Sequence, residues 1–219
     1  MRELFQGDLA QLGEQLADMC GVSTAAMRQA TRALLEADLP LAESVLSNDA
    51  TLDARRAECE EHAQLLLALQ APVARDLRIV LAATYCAEKI ERMGDLAAHI
   101  AEIARFAHPH HAVPDPIRET ISELGTVTVG MAERLATMID AVNTGSGGGA
   151  FAELKDMEDR VNRLHADILA RISKPDFGYD PSVAANLALL TRFYERFADQ
   201  AVSVAQRLDF AATGTLPAA

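Results

Sequence analysis

The sequence predicts an all-α protein made of six long helices in two tandem three-helix bundles. Three observations lead there: an aliphatic, aromatic-poor composition, widely spaced prolines, and an internal repeat. Of 219 residues, 41 are Ala and 27 are Leu, while aromatics make up 5% and tryptophan is absent. Ala and Leu are the residues most at home in helices, whereas sandwiches and barrels draw on β-branched and aromatic side chains. With 50% hydrophobic and 24% charged residues, the chain can build a core and is not of the disordered class.

The eight prolines, at 40, 72, 109, 114, 116, 175, 181 and 217, leave long uninterrupted stretches between them. Because an interior proline breaks a helix, these positions punctuate the chain. The spacing predicts helices over 3–37, 40–70, 73–107, 115–143, 150–173 and 181–210. Asp38-Leu39-Pro40 and Asp180-Pro181 read as helix starts, each with a capping acid before a first-turn proline. The third helix carries Cys86, Ile90, Met93, Ala97, Ile100 and Ala104 on one stripe. In the fourth, Ile117, Ile121, Leu124, Thr128, Met131, Leu135, Met138 and Val142 recur at alternating spacings of four and three. Leu154, Met157, Val161, Leu164 and Ile168 do the same in the fifth, and Leu187, Leu190, Tyr194, Phe197, Ala201, Val204 and Leu208 in the sixth. This is the narrow seam of bundle packing, and helices of ~30 residues, ~45 Å long, make the bundles elongated. The run Thr144-Gly145-Ser146-Gly147-Gly148-Gly149 reads as a flexible connection.

Ile90-Glu91-Arg92-Met93-Gly94-Asp95-Leu96-Ala97 aligns without gaps on Tyr194-Glu195-Arg196-Phe197-Ala198-Asp199-Gln200-Ala201, an offset of 104. The linker 108–116 divides the copies, so the expected domains are 1–110 and 111–219.

The formal charge is −12, distributed as −7 over residues 1–110 and −5 over 111–219. Counterion release and polybasic attraction both need clustered Lys and Arg, so nucleic acid and anionic membrane surfaces are disfavoured as direct partners. No apolar run approaches the ~18 residues of a membrane span, and the acid-rich first residues do not read as an export signal. Cys20, Cys59 and Cys86 share no metal-site spacing and are expected as small core residues of a protein in the reducing cytoplasm.

Two carboxylates four residues apart share one helix face, about 5–6 Å apart at Cβ, and repel each other. Glu88, Glu91, Asp95, His99 and Glu102 form such a stripe, expected to face away from the bundle core. A solvated face has no need to recur, yet Glu195 and Asp199 repeat the pair in the last helix. Clustered carboxylate oxygens are the chemistry of hard-cation sites, so these two pairs are the metal candidates. Asp49 and Asp53, and Glu158 with Asn162, are further candidates at the same spacing, expected opposite the apolar stripes of their helices. Glu-x-x-His, the di-iron signature, is absent, which disfavours an oxidative di-iron enzyme. His108, His110 and His111 flank Pro109 and read as a polar connector. No phosphate loop, nucleophile elbow or Cys-x-x-Cys occurs, so nothing nominates a catalytic residue.

Pro72-Val73-Ala74-Arg75-Asp76-Leu77-Arg78, together with the doubled Glu-Arg-x-x-Asp segments, resembles the PhoU family over nearly the whole chain. The resemblance implies two three-helix bundles and a cytoplasmic, non-enzymatic accessory protein of the phosphate-specific ABC transporter. Such a protein couples the transporter ATPase subunit to a sensor histidine kinase and represses the phosphate-starvation response. It implies homodimers, and multinuclear iron or zinc on Glu91 with Asp95 and on Glu195 with Asp199; Glu88, on the same stripe as the first pair, is a further metal candidate beside these. Two departures bear on the ligand sets: His99 in the first copy and Ser203 in the second stand where the family often has Asn, and Arg192 of the second copy matches Glu88, which makes that face less acidic. The competing reading is a metal-storing or di-metal carboxylate enzyme built on a helical bundle.

Overall fold

A computed structural model describes residues 2–143 and 150–215; the Thr144–Gly149 connection lies outside the described residues. Among the described residues six helices follow one another: α1 (Arg2–Glu36), α2 (Leu39–Gln70), α3 (Ala74–Ala107), α4 (Asp115–Asn143), α5 (Ala150–Ile172) and α6 (Pro181–Thr213). Their ends lie within three residues of the positions the sequence predicts. Both predicted caps form. Asp38 accepts from the Leu41 N–H at 3.0 Å and Asp180 from the Ser182 N–H at 2.8 Å, each with proline in the first helical turn. Each side-chain oxygen satisfies one of the orphan donors of a helix start.

Helices α1, α2 and α3 pack on one another, and so do α4, α5 and α6, which gives the two predicted bundles. The predicted stripes of α3, α4 and α6 are buried throughout. Cys20, Cys59 and Cys86 are free and buried, and burial pushes the Cys20 thiol up to about 12 and that of Cys59 to about 11. In the connector, His108 Nδ1 lies 3.1 Å from the Ala37 carbonyl, which ties the C-terminal ends of α1 and α3 together.

The bundles do not stand apart. Helices α1 and α3 of the first pack on α4 and α6 of the second, so their apolar positions serve two interfaces and a single core runs through the molecule. Both pairs are antiparallel: Cys20 donates to the Ala132 carbonyl and Thr31 lies against Gly125, while Arg78 meets Phe210 and His99 stacks on Phe193. Tyr194, which the seam of α6 assigns to its own bundle, reaches across instead. It is fully buried, with its hydroxyl 2.9 Å from that of Thr31 on α1. Gly125 makes room there, since a Cβ at 125 would lie 2.3 Å from Thr31 Cγ2. The helices α2 and α5 remain on the two flanks, each touching, among the described residues, only the two helices of its own bundle.

Candidate functional site: two carboxylate clefts

On α2, Ala42, Val45, Leu52, Cys59, Ala63 and Leu66 are buried. Spacings of three and four through this series pass through positions 49 and 56, which are Asp49 and Arg56. The seam that meets α3 therefore contains charged groups. On α5, Leu154, Val161 and Ile168 are buried, and the intervening seam positions are Glu158 and His165. Charged groups placed this way are held between helices, where desolvation makes their mutual repulsion stronger.

In the first cleft Asp49 and Asp53 of α2 face Glu91 and Asp95 of α3. A hydrogen bond joins Glu91 to Asp53. Burial first, then the Asp95 carboxylate, then this bond push the Glu91 carboxyl from 4.5 to about 7, so near neutral pH a proton is shared inside the cleft. Asp49 is raised as well, by burial and then by Asp95 and Asp53. The cations at the rim are only partial compensation. Arg92 pairs with Asp95 at 3.1 Å from a largely exposed position, and Arg56 is committed to Glu60 through two contacts of 3.1 and 3.2 Å. Close approach of α2 and α3 here depends on Gly94, where a Cβ would lie 2.3 Å from Leu52 Cδ2. The second copy carries Ala198 at that position.

In the second cleft Glu158 of α5 meets Glu195 and Asp199 of α6. Burial, then Glu195, then a hydrogen bond with Glu158 raise Asp199 from 3.8 to about 6. Two cations at its rim are committed to its acids: Lys155 pairs with Glu158, and Arg192 with Glu195, both from half-exposed positions. His165 donates to or accepts from the Thr191 hydroxyl at 2.9 Å, and burial lowers its pKa. The two clefts thus share an architecture and differ in charge.

Two expectations are corrected. The acidic stripe of α3 does not face open solvent: Glu91 and Asp95 are half-buried against α2, while Glu88 and His99 are exposed. Glu158 is not opposite the apolar stripe of α5 but on it, 7% exposed, because it stands four residues after Leu154 and three before Val161. Asp49 is four after Val45 and three before Leu52, the matching place on α2. Placed by this register, Asp53 corresponds to Asn162 and Arg56 to His165. Reading the seam positions rather than the stripe would have found Arg56 and His165, which the sequence reading missed. Asn162 is half-buried one turn beyond Glu158 and makes no hydrogen bond among the described residues.

Glu91, Asp53, Asp49 and Asp95 on one side, and Asp199, Glu158 and Glu195 on the other, supply oxygen donors only. Carboxylates held close enough to share protons are the donor set of a hard or borderline cation, which would take the place of the shared proton. The residues present therefore fit such an ion better in the first cleft than in the second. Among the described residues, no three His, Cys, Asp or Glu side chains are already drawn into the spacing of a single metal ion.

Fold and site together define a six-helix protein of two antiparallel bundles, each with a carboxylate cleft between its flanking helix and its repeat helix. The PhoU domain model matches this chain twice, over residues 16–104 and 121–208, and the chain belongs to the PhoU family. It is 41% identical over 217 residues to a Mycobacterium tuberculosis protein named phosphate-specific transport system accessory protein PhoU homolog 2, covering 99% of this chain and 100% of that one. The crystal structure of a phosphate transport system regulatory protein PhoU from Streptococcus pneumoniae superposes with a TM-score of 0.83 at 20% identity, over 98% of this chain and all of that one. PhoU from Pseudomonas aeruginosa gives the same TM-score at 21% identity, over 96% of this chain and all of that one.

Proposed function

We propose that this chain is a cytoplasmic, non-enzymatic adaptor of phosphate uptake. It joins the ATPase subunit of a phosphate ABC transporter to a sensor histidine kinase and holds the phosphate-starvation response off when phosphate is plentiful. The observation that carries the reading is the doubled PhoU match lying over two bundles with equivalent carboxylate clefts, within a chain 41% identical end to end to a named transport accessory protein. Among the described residues no helix is long and apolar enough to cross a membrane, which accords with a partner that docks on a transporter rather than a part of its membrane domain.

In this reading the unit of function is each half, divided at 110/111, and the whole chain acts as a homodimer. Glu91 and Asp95 with Asp49 and Asp53 would hold iron or zinc in the first cleft, and Glu195 and Asp199 with Glu158 in the second. A bound ion supplies positive charge that removes carboxylate repulsion. The protein's own part is steric and electrostatic: Gly94 brings α2 against α3, and the rim arginines set how much charge remains to be neutralised. The alternative, a metal-storing or di-metal carboxylate enzyme, is disfavoured by the missing Glu-x-x-His signature.

Co-purification tests the function. Tagged protein isolated from membranes of phosphate-replete cells is expected to bring down both the transporter ATPase and the kinase. Recovery of neither would overturn the adaptor reading. A homogeneous preparation that consumes oxygen with bound iron would favour the enzyme instead.

A further inference from the structure

The cations of this acidic chain are not evenly spread. Eight cations take part in no ion pair among the described residues, and five of them, Arg75, Arg78, Lys89, Arg196 and Arg207, lie on α3 or α6. The antiparallel packing of these helices brings residues more than 100 positions apart onto one face. Arg207 lies over the Tyr85 ring at 4.4 Å and Lys89 over the same ring at 5.3 Å. Further along, Arg78 stands 6.0 Å from the Phe210 ring centroid. At the other end His99 and Phe193 stack at 5.1 Å, and Arg105 lies over Phe106 at 5.2 Å. The motif carboxylates of both helices are turned aside into the clefts, which leaves the exposed Glu88 and the partly exposed Glu102, the latter paired with Arg105, at the margin.

The same two helices present three of the large apolar side chains most open to water: Phe106 at 76%, Leu189 at 55% and Leu81 at 51%. Tyr, Phe and Arg are the residue types enriched in the energetic centres of protein interfaces. The cations are strung along the helices rather than gathered on one point. Arg78 and Lys89 are 11 residues apart on α3, about 16 Å at 1.5 Å per residue, too far for one small anion. An anionic lipid surface would meet the whole −12 chain as well as this face.

We propose that the α3–α6 face docks an acidic amphipathic helix of a partner protein, with carboxylates meeting Arg78, Lys89, Arg196 and Arg207 and apolar side chains covering Leu81, Leu189 and Phe106. Complementary charge fixes the orientation of the helix and speeds encounter, and burial of the apolar trio holds it in place. The inference rests on the adaptor reading only in that a partner exists. Its test needs neither membranes nor the transporter, so the two stand or fall separately.

The probe is a fluorescein-labelled 21-residue peptide with Leu at spacings of three and four and Glu on its remaining helical faces, followed by fluorescence anisotropy. Wild type is expected to bind it despite its own negative charge, more weakly as salt rises. K89E/R207E is expected to weaken binding about tenfold or more, as is F106S/L189S at constant net charge. R118E/R163E, reversing a half-buried cation on α4 and an exposed one on α5, should leave affinity within about twofold. Circular dichroism confirms that each variant is folded, and the F106S/L189S pair of exposed side chains keeps the test open if a charge variant is not. No binding by wild type, or equal loss with R118E/R163E, overturns the proposal. So does unchanged affinity of F106S/L189S. Concentration-dependent self-association that K89E/R207E abolishes would assign the face to a second copy of the chain, and capture by phosphatidylglycerol vesicles with the same dependence would assign it to a membrane. Either result also overturns it.

Discussion

Replacing Glu91 by glutamine isolates the repulsion stored in the first cleft. The Glu91 carboxyl is raised from 4.5 to about 7 in the folded protein. At about 1.4 kcal/mol per pH unit, that shift amounts at most to about 3 kcal/mol, and solvent screening of a half-exposed group reduces it to about 1–2 kcal/mol. Because the folded-state value is the higher one, the stabilisation is fully present below pH 4.5 and is lost as pH rises through about 7. Glutamine stays neutral at every pH and can still donate to Asp53. Glu91→Gln should therefore match wild type near pH 4.5 and exceed it by about 1–2 kcal/mol at pH 8, about 3–6 °C in Tm for a chain of this size. The assay is thermal unfolding by circular dichroism between pH 4.5 and 8.5 with chelator present. Curves that run parallel through this range would refute the account of the cleft. Zn2+ added at pH 8 should then raise the Tm of wild type by mass action and that of the variant much less.

Four other variants probe separate parts of the molecule. Asp95→Asn with Asp199→Asn should abolish metal binding, read by elemental analysis after dialysis, while helical signal is kept; a large loss of helicity would mean that these residues carry the fold. Gly125→Ala places a Cβ 2.3 Å from Thr31 Cγ2, so overpacking of about 1–3 kcal/mol outweighs the gain in helix propensity of up to about 1 kcal/mol, measurable by urea unfolding. Tyr194→Phe removes the partner of the buried Thr31 hydroxyl and should cost about 1–2 kcal/mol in the same assay. Asp38→Ala removes the cap of α2 at a cost of about 1 kcal/mol, and no change would place the start of α2 under tertiary control alone.

Helix number, helix limits and the buried stripes of α4 and α6 are all legible in the sequence, because long amphipathic helices bounded by proline offer few alternatives. Periodicity within one helix says less about which helix a stripe meets. The apolar positions of α1 and α3 spread beyond one narrow stripe, so their second interface, with α4 and α6, leaves no distinct pattern, and Tyr194 was readable only as a core residue. The acid pairs of α3 and α6 were visible through their repetition. Their setting was not, since a carboxylate at a seam position such as Glu158 or Asp49 runs against the rule that seams are apolar. The cationic face on α3 and α6 is likewise invisible along the chain. Lys89 and Arg207 are separated by 118 residues and meet only over the ring of Tyr85.

Co-purification of the kinase and the transporter ATPase with wild type and with the Asp95→Asn/Asp199→Asn variant, from membranes of cells grown in high and in low phosphate, tests most directly whether the clefts serve the adaptor. The account predicts both partners with wild type in high phosphate, and a folded variant that has lost metal together with phosphate-dependent retention of the kinase. Equal recovery of both partners by wild type and variant under both conditions would contradict it.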